Sequence, residues 1–177
     1  MKLINSNLLS TKPSLTPEHQ KMPITLTKTT PDDLHYLYQI QLDQVANHMA
    51  AFTSESGTDV RLYFEKYVKH LADPTISMWT IRLEQKIVGS VAKFVMSGDA
   101  GITYWIDKEF WGQGAATEAL TQLLQYETVR PIYGYVAFDN LGSQRVLEKC
   151  GFRKVATDRG FARSRQAEIE EFIYRLD

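Results

Sequence analysis

The segment 112–117, Gly-Gln-Gly-Ala-Ala-Thr, constrains the fold most, because it joins two stretches of different periodicity. Before it, residues 102–107 alternate with a period of two and carry bulky groups on both faces, which predicts a central strand. After it, apolar side chains return with the spacing of one helix face. They are Ala116, Ala119, Leu120, Leu123 and Leu124. The predicted order is therefore strand, glycine loop, helix.

A loop at this position brings free backbone N–H groups and the positive end of a helix dipole to one point, which favours an anion. Glycine and alanine would let a phosphate approach the backbone, although a tight turn alone also requires small residues. The spacing is GxGxxT, with no strand ending in an acid about 20 residues later, and no lysine follows a GxxxxG frame. A dinucleotide fold and a P-loop are thus disfavoured.

Length, cysteine content and charge narrow the possible classes of protein further. At about 150 residues per domain, 177 residues predict one compact domain. The single cysteine, Cys150, excludes a disulfide framework or a zinc cluster and favours a reducing compartment. A net charge of -1 provides no field for nucleic acid or an anionic membrane, and no apolar run is long enough to span a bilayer. We expect a soluble, cytoplasmic protein without a metal site.

The remaining periodicity predicts a mixed order of helices and strands. Residues 1–22 are poor in apolar side chains and lack a signal-peptide core, so they are predicted to be a flexible arm, with the domain spanning 23–177. Strands are predicted at 24–29, 76–83, 87–96, 101–107, 132–138, 152–157 and 168–176, and helices at 30–42, 59–71, 116–125 and 140–150. Short turns make the second to fourth strands an antiparallel meander.

Two motifs give the chain a resemblance to a known family. Residues 102–106, Ile-Thr-Tyr-Trp-Ile, lead into 110–120, Phe-Trp-Gly-Gln-Gly-Ala-Ala-Thr-Glu-Ala-Leu, and 140–152, Asn-Leu-Gly-Ser-Gln-Arg-Val-Leu-Glu-Lys-Cys-Gly-Phe, follows about 25 residues later. In this order they resemble the GNAT superfamily of acyl-CoA N-acyltransferases, in the branch of the ribosomal-protein N-terminal acetyltransferases. The likeness extends over roughly residues 24–177.

The resemblance implies an α+β fold with a mixed, mostly antiparallel sheet flanked by helices, splayed after the fourth strand. It also implies that acetyl-CoA binds with its pantetheine in the gap and its pyrophosphate on the loop. The implied cofactor residues are Tyr104, Trp105, Ile106, Trp111, Gly112, Gln113, Gly114, Ala115, Ala116, Thr117, Asn140 and Ser143. The superfamily usually has Arg or Gln where Trp111 stands, although Trp is common in this branch, and Gln113 replaces a frequent lysine or arginine.

Acetyl transfer needs an oxyanion donor and a proton for the leaving thiolate. Backbone N–H groups near Ile106 would supply the donor. Many members of the superfamily have a tyrosine that acts as the acid at the position of Leu147. Because this chain lacks that tyrosine, the resemblance to the ribosomal branch implies that Ser143, one helical turn earlier, assists the thiolate. Ser143 could equally bond its own helix backbone. Asn140 fits both a helix N-cap, accepting from the Ser143 N–H, and a pantetheine contact.

No general base stands out in the sequence. Asp43, Glu55, Asp99 and Asp158 all fall in predicted loops, where solvated surface acids are expected. Cys150 ends an apolar helix face and is interpreted as a small buried hydrophobe, and no histidine has a nucleophile partner at a known spacing. A missing strong base favours a weakly basic acceptor such as an α-amine.

The acceptor pocket is expected on the far side of the splay from the cofactor. Its predicted residues are Asn47, Met49, Phe52, Arg159 and Phe161, although residues 43–52 could equally be an ordinary connection. The predicted function is acetyl transfer from acetyl-CoA to a primary amine in a ternary complex, the acceptor being a protein N-terminus. The alternatives are a small-molecule amine acceptor, meaning a metabolite, polyamine or antibiotic, and a CoA-binding module without catalysis. The last strand could pair with a second subunit, so a monomer or a homodimer is expected.

Overall fold

The structure, a computed structural model, describes residues 23–53 and 59–177. The predicted arm at residues 1–22 and the acid Glu55 lie outside the described residues. The strands are β1 (Ile24–Lys28), β2 (Ser77–Leu83), β3 (Lys86–Met96), β4 (Asp99–Ile106), β5 (Ile132–Ala137), β6 (Arg153–Ala162) and β7 (Ala167–Leu176). The helices are α1 (Leu34–Gln41), α2 (Gln44–Ala50), α3 (Val60–Ala72), α4 (Ala115–Tyr126) and α5 (Leu141–Lys149), with short 3-10 turns at Pro31–Asp33, Lys108–Phe110 and Arg163–Arg165.

The strands form one seven-stranded sheet in the order β1-β2-β3-β4-β5-β7-β6. Every neighbouring pair is antiparallel except β4 and β5, which run parallel. The predicted mixed, mostly antiparallel sheet, its β2–β3–β4 meander and the central position of β4 are confirmed.

The parallel pair is short, and this creates a gap in the sheet. Only Ala100–Ile102 pair with β5, as far as Gly134. Beyond that point β4 stays paired with β3 up to Ile106, and β5 stays paired with β7 up to Ala137. The two strands therefore diverge while each remains bonded on its outer edge. The predicted splay after the fourth strand is confirmed.

Helices cover both faces of the sheet. One apolar cluster joins α4 and α5 to the sheet and includes Leu120, Leu123 and Leu147. A second cluster joins α1 and α3 to the opposite face through residues such as Leu34, Leu37, Tyr63, Met78 and Ala92. In α3, Tyr63 is fully buried and Phe64, Tyr67 and Leu71 pack against this cluster, whereas Val60 and Val68 are exposed.

Two elements differ from the sequence prediction. Residues 44–50 form the short helix α2, because the Asp43 carboxylate caps it by accepting from the Ala46 N–H at 2.8 Å. Strand β6 continues past its predicted end at residue 157, since Asp158 to Ala162 pair with β7. Asp158, Arg159 and Phe161 therefore lie on a strand, and Asp99 begins β4, so their predicted placement in loops was wrong.

A buried carboxylate, that of Asp33 just before α1, joins the start of this helix to β2. Asp33, 4% exposed, accepts from the Thr30 N–H at 3.0 Å, the Thr80 hydroxyl at 3.0 Å and Arg82 Nη2 at 2.5 Å. Removing the carboxylate would leave the Thr80 hydroxyl bonded only to Thr29, and the partly buried Arg82 without its counter-charge.

We expect Asp33→Ala to lower the free energy of unfolding by about 3 kcal/mol, because it strands the Arg82 charge and opens the helix cap. Urea denaturation followed by circular dichroism measures this. Asp32→Ala, one residue earlier and exposed, is the matched control and should change stability by less than about 0.5 kcal/mol. Equal effects of both substitutions would contradict the role assigned to Asp33.

Candidate active site

The loop before α4 is shaped to present backbone N–H groups. Gly112 and Gly114 have φ values of 72° and 88°, a left-handed conformation that other residues rarely adopt, and a Cβ on either would meet nothing within 4 Å. Gly114 caps α4 without a side-chain hydrogen bond, so the first-turn N–H groups of Ala115, Ala116 and Thr117 remain free of intrahelical partners. The loop can therefore bind an anion such as a phosphate.

Two side chains of the loop turn back onto the segment before it. Trp111 Nε1 donates to the Ile106 carbonyl at 2.8 Å, and Gln113 Nε2 donates to the Glu109 carbonyl at 2.6 Å. Both contacts fix the path of the chain from β4 to α4. They also remove these side chains from the open side of the two glycines.

The edge of β4 that borders the gap carries unpaired backbone groups. The Asp107 N–H donates to the Val88 carbonyl at 2.8 Å, on the β3 side. Backbone groups alternate between the two edges of a strand, so those of Tyr104 and Ile106 point into the gap. Trp105 has its backbone on the β3 side, opposite Ser90. Since Trp111 occupies the Ile106 carbonyl, the Ile106 N–H is left as a free donor.

The N-terminus of α5 lies beside this edge. The Asn140 side chain accepts from the Ser143 N–H at 3.1 Å, so the predicted N-cap is present, and its amide donates to the Met49 carbonyl at 3.1 Å. The Tyr104 hydroxyl donates to the Ser143 carbonyl at 3.2 Å. Burial raises the pKa of Tyr104 well above its ordinary value, so this phenol stays protonated. Ser143 is thus held through its backbone, with its side chain left for other contacts.

Leu147 and Cys150, further along α5, have no chemical role in this arrangement. Leu147 is buried against Gly134, where an added Cβ would meet it at 2.8 Å. Cys150 is half-buried and its Sγ lies 3.6 Å from the Thr117 carbonyl. Burial raises the pKa of this thiol, so it remains protonated and unreactive at neutral pH.

The five residues predicted for the acceptor pocket do not all come together. Met49 and Phe52 belong to the end of α2, and the Phe52 ring packs over Gly160 of β6. Asn47 donates to the Gln41 and Asp43 carbonyls at the junction of α1 and α2. Arg159 and Phe161 flank Gly160 on β6, and therefore point to the opposite face from Phe52.

An arginine that the sequence did not single out fastens α2 to the sheet. Arg165 donates to both Asp139 oxygens at 2.8 and 2.9 Å, and its Nε donates to the His48 carbonyl at 2.8 Å. Its side chain is 8% exposed. The bonded guanidinium holds the pKa of Asp139 below its usual range. The backbone N–H and hydroxyl of Ser164 both donate to the Ala51 carbonyl, at 3.2 and 2.9 Å.

We call three of these contacts the α2 clamp. In it, Asn140 donates to the Met49 carbonyl, Ser164 to the Ala51 carbonyl and Arg165 to the His48 carbonyl. The clamp joins α2 to the same Asp139–Asn140 turn that begins α5. It lies between residues more than 90 positions apart, and no local pattern marks it in the sequence.

A second residue missed by the sequence interpretation is Glu171 on β7. It is half-buried, whereas Glu168 and Glu170 on the same strand are exposed. Burial, followed by the charge of Asp158, raises the pKa of Glu171 above that of an ordinary glutamate. The alternation of side chains along a strand predicts that Glu171 lies on the opposite face of β7 from Glu168 and Glu170. It does not predict which of the two faces is covered by other residues.

An open cavity of about 480 Å³ lies between α1, the β2–β3 turn and the end of β4. Its lining mixes charged, amide and apolar side chains: Tyr36, Gln39, Ile40, Asp43, Arg82, Gln85, Lys86, Ile87, Asp107 and Lys108. Asp107 lines the cavity and its N–H bonds to β3, so the cavity lies at the end of β4 on the β3 side, whereas the free N–H of Ile106 points into the gap on the other side of the strand.

The described residues contain no group of three or more His, Cys, Asp or Glu side chains placed to hold a metal ion. None of the helices in residues 23–53 and 59–177 is long and apolar enough to cross a membrane.

Comparison with known proteins agrees with this geometry. The family model described as an acetyltransferase (GNAT) domain matches residues 24–153. The chain belongs to the GNAT family. Among curated proteins, this GNAT chain is 37% identical over 79 residues to the probable N-acetyltransferase YjcK of Bacillus subtilis (strain 168). That match covers 40% of the chain and 44% of YjcK, so it spans less than half of the curated relative.

Solved GNAT structures share the fold at low sequence identity. The microcin C7 self immunity acetyltransferase MccE, in complex with acetyl-CoA and AMP, has a TM-score of 0.72 at 19% identity, covering 86% of this chain and 91% of that one. RimL, a ribosomal L7/L12 alpha-N-protein acetyltransferase in complex with coenzyme A, has a TM-score of 0.68 at 15% identity, covering 85% and 92%. These likenesses establish the fold.

In this GNAT chain, Arg165→Ala should loosen α2 while leaving the sheet in place. The loss of about 2 kcal/mol of local protection should speed amide exchange in Gln44–Ala50 about 30-fold, measured by hydrogen exchange and mass spectrometry. Arg153→Ala is the control, since its pair with Asp177 is 80% and 54% exposed, and α2 exchange should stay within twofold. Unchanged exchange in Arg165→Ala would show that the clamp does not hold α2.

Proposed function

We propose that the chain is an acetyl-CoA-dependent N-acetyltransferase that moves an acetyl group to a primary amine by direct transfer in a ternary complex. The observation that carries the proposal is the continuity of two open backbone surfaces. The unpaired edge of β4 at Tyr104 and Ile106 is followed, after one 3-10 turn, by the glycine loop and the free first-turn N–H groups of residues 115–117. An extended ligand with amides at one end and phosphates at the other fits such a surface.

The residues present fit acetyl-CoA. The N–H groups of residues 112–117 would hold the pyrophosphate, and the open space above Gly112 and Gly114 leaves room for it. The backbone groups of Tyr104 would pair with pantetheine amides, with Asn140 and Ser143 across the gap, and the Ile106 N–H would face the thioester end. Of the other residues in the implied set, Trp111 and Gln113 act on the loop itself, and Trp105 is bonded towards β3.

The chemistry divides between backbone and side chain. Acetyl-CoA supplies the thioester carbonyl, the thiol leaving group and the phosphates by which it is held. The Ile106 N–H would stabilise negative charge on a carbonyl oxygen in the gap, an effect typically worth about 3 kcal/mol. The Ser143 hydroxyl would donate a proton to the departing sulfur, because its own helix turn is fixed by Asn140 and Tyr104.

We infer that the acceptor is the α-amine of a polypeptide. The cavity at the end of β4 is open and lined by three cations and two carboxylates, a surface that suits a mixed peptide chain and disfavours a polyamine. At pH 7, removing the proton of an α-amine with a pKa near 7.8 costs about 1 kcal/mol, against about 4.6 kcal/mol for lysine. The α-amine therefore makes the smaller demand on a base.

A small-molecule amine is the second candidate. The cavity volume of about 480 Å³ lies within the range of small-ligand sites, which favours this acceptor as much as its openness favours a peptide.

Calorimetry with acetyl-CoA and with free CoA tests the cofactor, and an acceptor panel tests the function. The panel contains alanine- and serine-initiated pentapeptides, glycinamide and spermidine, with free thiol release as the signal. We expect micromolar binding of acetyl-CoA and the highest kcat/KM with a peptide. Binding without turnover would indicate a CoA-binding module, and preference for glycinamide or spermidine would transfer the proposal to the small-molecule acceptor.

Gly114→Glu should abolish acetyl-CoA binding, because it places bulk and negative charge where the pyrophosphate would sit. Gly98→Glu is the matched control: Gly98 also has a left-handed φ, of 91°, and open space around its Cβ position, but it lies in the β3–β4 turn. We expect at least a 100-fold weaker Kd by calorimetry for Gly114→Glu alone. Retained binding in folded Gly114→Glu would refute the placement of the cofactor.

Ser143→Ala should lower kcat about 100-fold and leave the Kd for acetyl-CoA within threefold, because the backbone contacts of Ser143 do not depend on its hydroxyl. Steady-state kinetics with the best acceptor and calorimetry with acetyl-CoA measure the two effects. An unchanged kcat would remove Ser143 from the mechanism.

A further inference from the structure

The acidic strand β7 presents a single carboxylate to the acceptor side of the sheet. Directly opposite residues of paired strands point to the same face, and Glu171 lies opposite Ala137 of β5 and Asp158 of β6. Ala137 is buried under Ala51, which follows α2. Glu171 therefore faces α2, while its neighbour Glu170 faces away.

Glu171 is also level with the reacting end of the gap. Ile102 pairs with Gly134 in parallel register, so the continuation of β4 to Tyr104 and Ile106 reaches the level of Ala137. Glu171 is the partner of Ala137 on the next strand, and adjacent strands are about 4.8 Å apart. A carboxylate one strand from the gap can reach an amine there directly or through one water.

The surroundings of Glu171 favour a proton acceptor. Ile169 and Ile173 flank it on the same face of β7, and Phe52 covers the next strand pair at Gly160. The titratable groups facing it are Asp158 of β6, which is exposed, and Tyr135 of β5, whose own pKa is raised by burial and by the charges of Asp99 and Glu171.

The next charged residue on this face of β7 is Arg175, which pairs with Asp177 at 2.5 Å. Among the described residues, Glu171 forms no ion pair with a Lys, Arg or His side chain. Its pKa is raised by burial first and by Asp158 second, which moves it towards neutral pH, where a general base works best.

We propose that Glu171 is the general base that deprotonates the acceptor amine, a step that rests on the proposed function. Its carboxylate takes one proton from the ammonium group and becomes a neutral acid, leaving a neutral amine. The nitrogen lone pair forms the N–C bond while the C–S bond breaks and its electron pair leaves with sulfur. The nitrogen loses a second proton as it becomes an amide, and the departing sulfur gains one proton as it becomes a thiol, so this step releases no further proton. Glu171 then returns its proton to solvent.

The test compares neighbours on one strand. Glu171→Gln keeps shape and removes the basic oxygen, and Glu170→Gln makes the same change on the opposite face. The probe is an alanine-initiated pentapeptide, or whichever panel amine the wild-type chain acetylates best. We expect Glu171→Gln to lower kcat/KM at pH 7 about 100-fold with an unchanged Kd for acetyl-CoA, and Glu170→Gln to stay within twofold.

The pH profile separates a base from a structural residue. In the wild-type chain, kcat/KM should fall at low pH as Glu171 is protonated. In Glu171→Gln that limb should be replaced by one that follows the free amine, with its midpoint near the pKa of about 7.8 of an α-amine. Asp158→Asn removes the like charge opposite Glu171, lowers the pKa of Glu171 and should shift the acid limb to lower pH.

The outcomes distinguish this inference from the proposed function. A wild-type chain that acetylates a probe, together with Glu171→Gln within threefold of it or an acid limb unmoved in Asp158→Asn, would overturn the role of Glu171 and leave the function standing. A wild-type chain that binds acetyl-CoA but acetylates no probe would overturn both.

Discussion

The site depends on one constraint, the divergence of β4 from β5 after three residue pairs. Each strand remains bonded on its outer edge, to β3 and to β7, so the gap is held open by pairing on both sides. Unpaired backbone in such a gap is costly unless it finds partners. Trp111 already occupies the Ile106 carbonyl, and the remaining N–H groups are available to a ligand with amide and phosphate groups. A ligand that pairs with these backbone groups would therefore also stabilise the gap.

The two sides of the gap are supported differently. The α4 side is built from local sequence, because the left-handed glycines and the uncapped start of α4 are adjacent in the chain. The α2 side is assembled from distant segments, since this seven-residue helix is too short to be stable alone and is held by Asn140, Ser164 and Arg165. Asn140 belongs to both sides, as it caps α5 and bonds Met49.

Sequence reasoning succeeded where the determining interactions are local. The strand–glycine loop–helix order and the Asn140 cap could be predicted because their signals lie within a few residues. The helix α2 was missed, since Gln-Val-Ala-Asn-His-Met-Ala has no apolar stripe and its stability comes from Asp43 and the clamp. The end of β6 was predicted too early because Asp158 and Gly160 are turn formers that here pair with β7. Glu171 became distinct from Glu170 only when the register of β5, β6 and β7 was known.

The clamp binds α2 through the carbonyls of His48, Met49 and Ala51, and not through their side chains. Almost any residue could occupy these positions and still offer a carbonyl to Asn140, Ser164 and Arg165. Evolution can therefore exchange the side chains of this segment without disturbing the anchorage of the helix. Under the proposed function, a scaffold of this kind could change its acceptor through a few substitutions in one short segment.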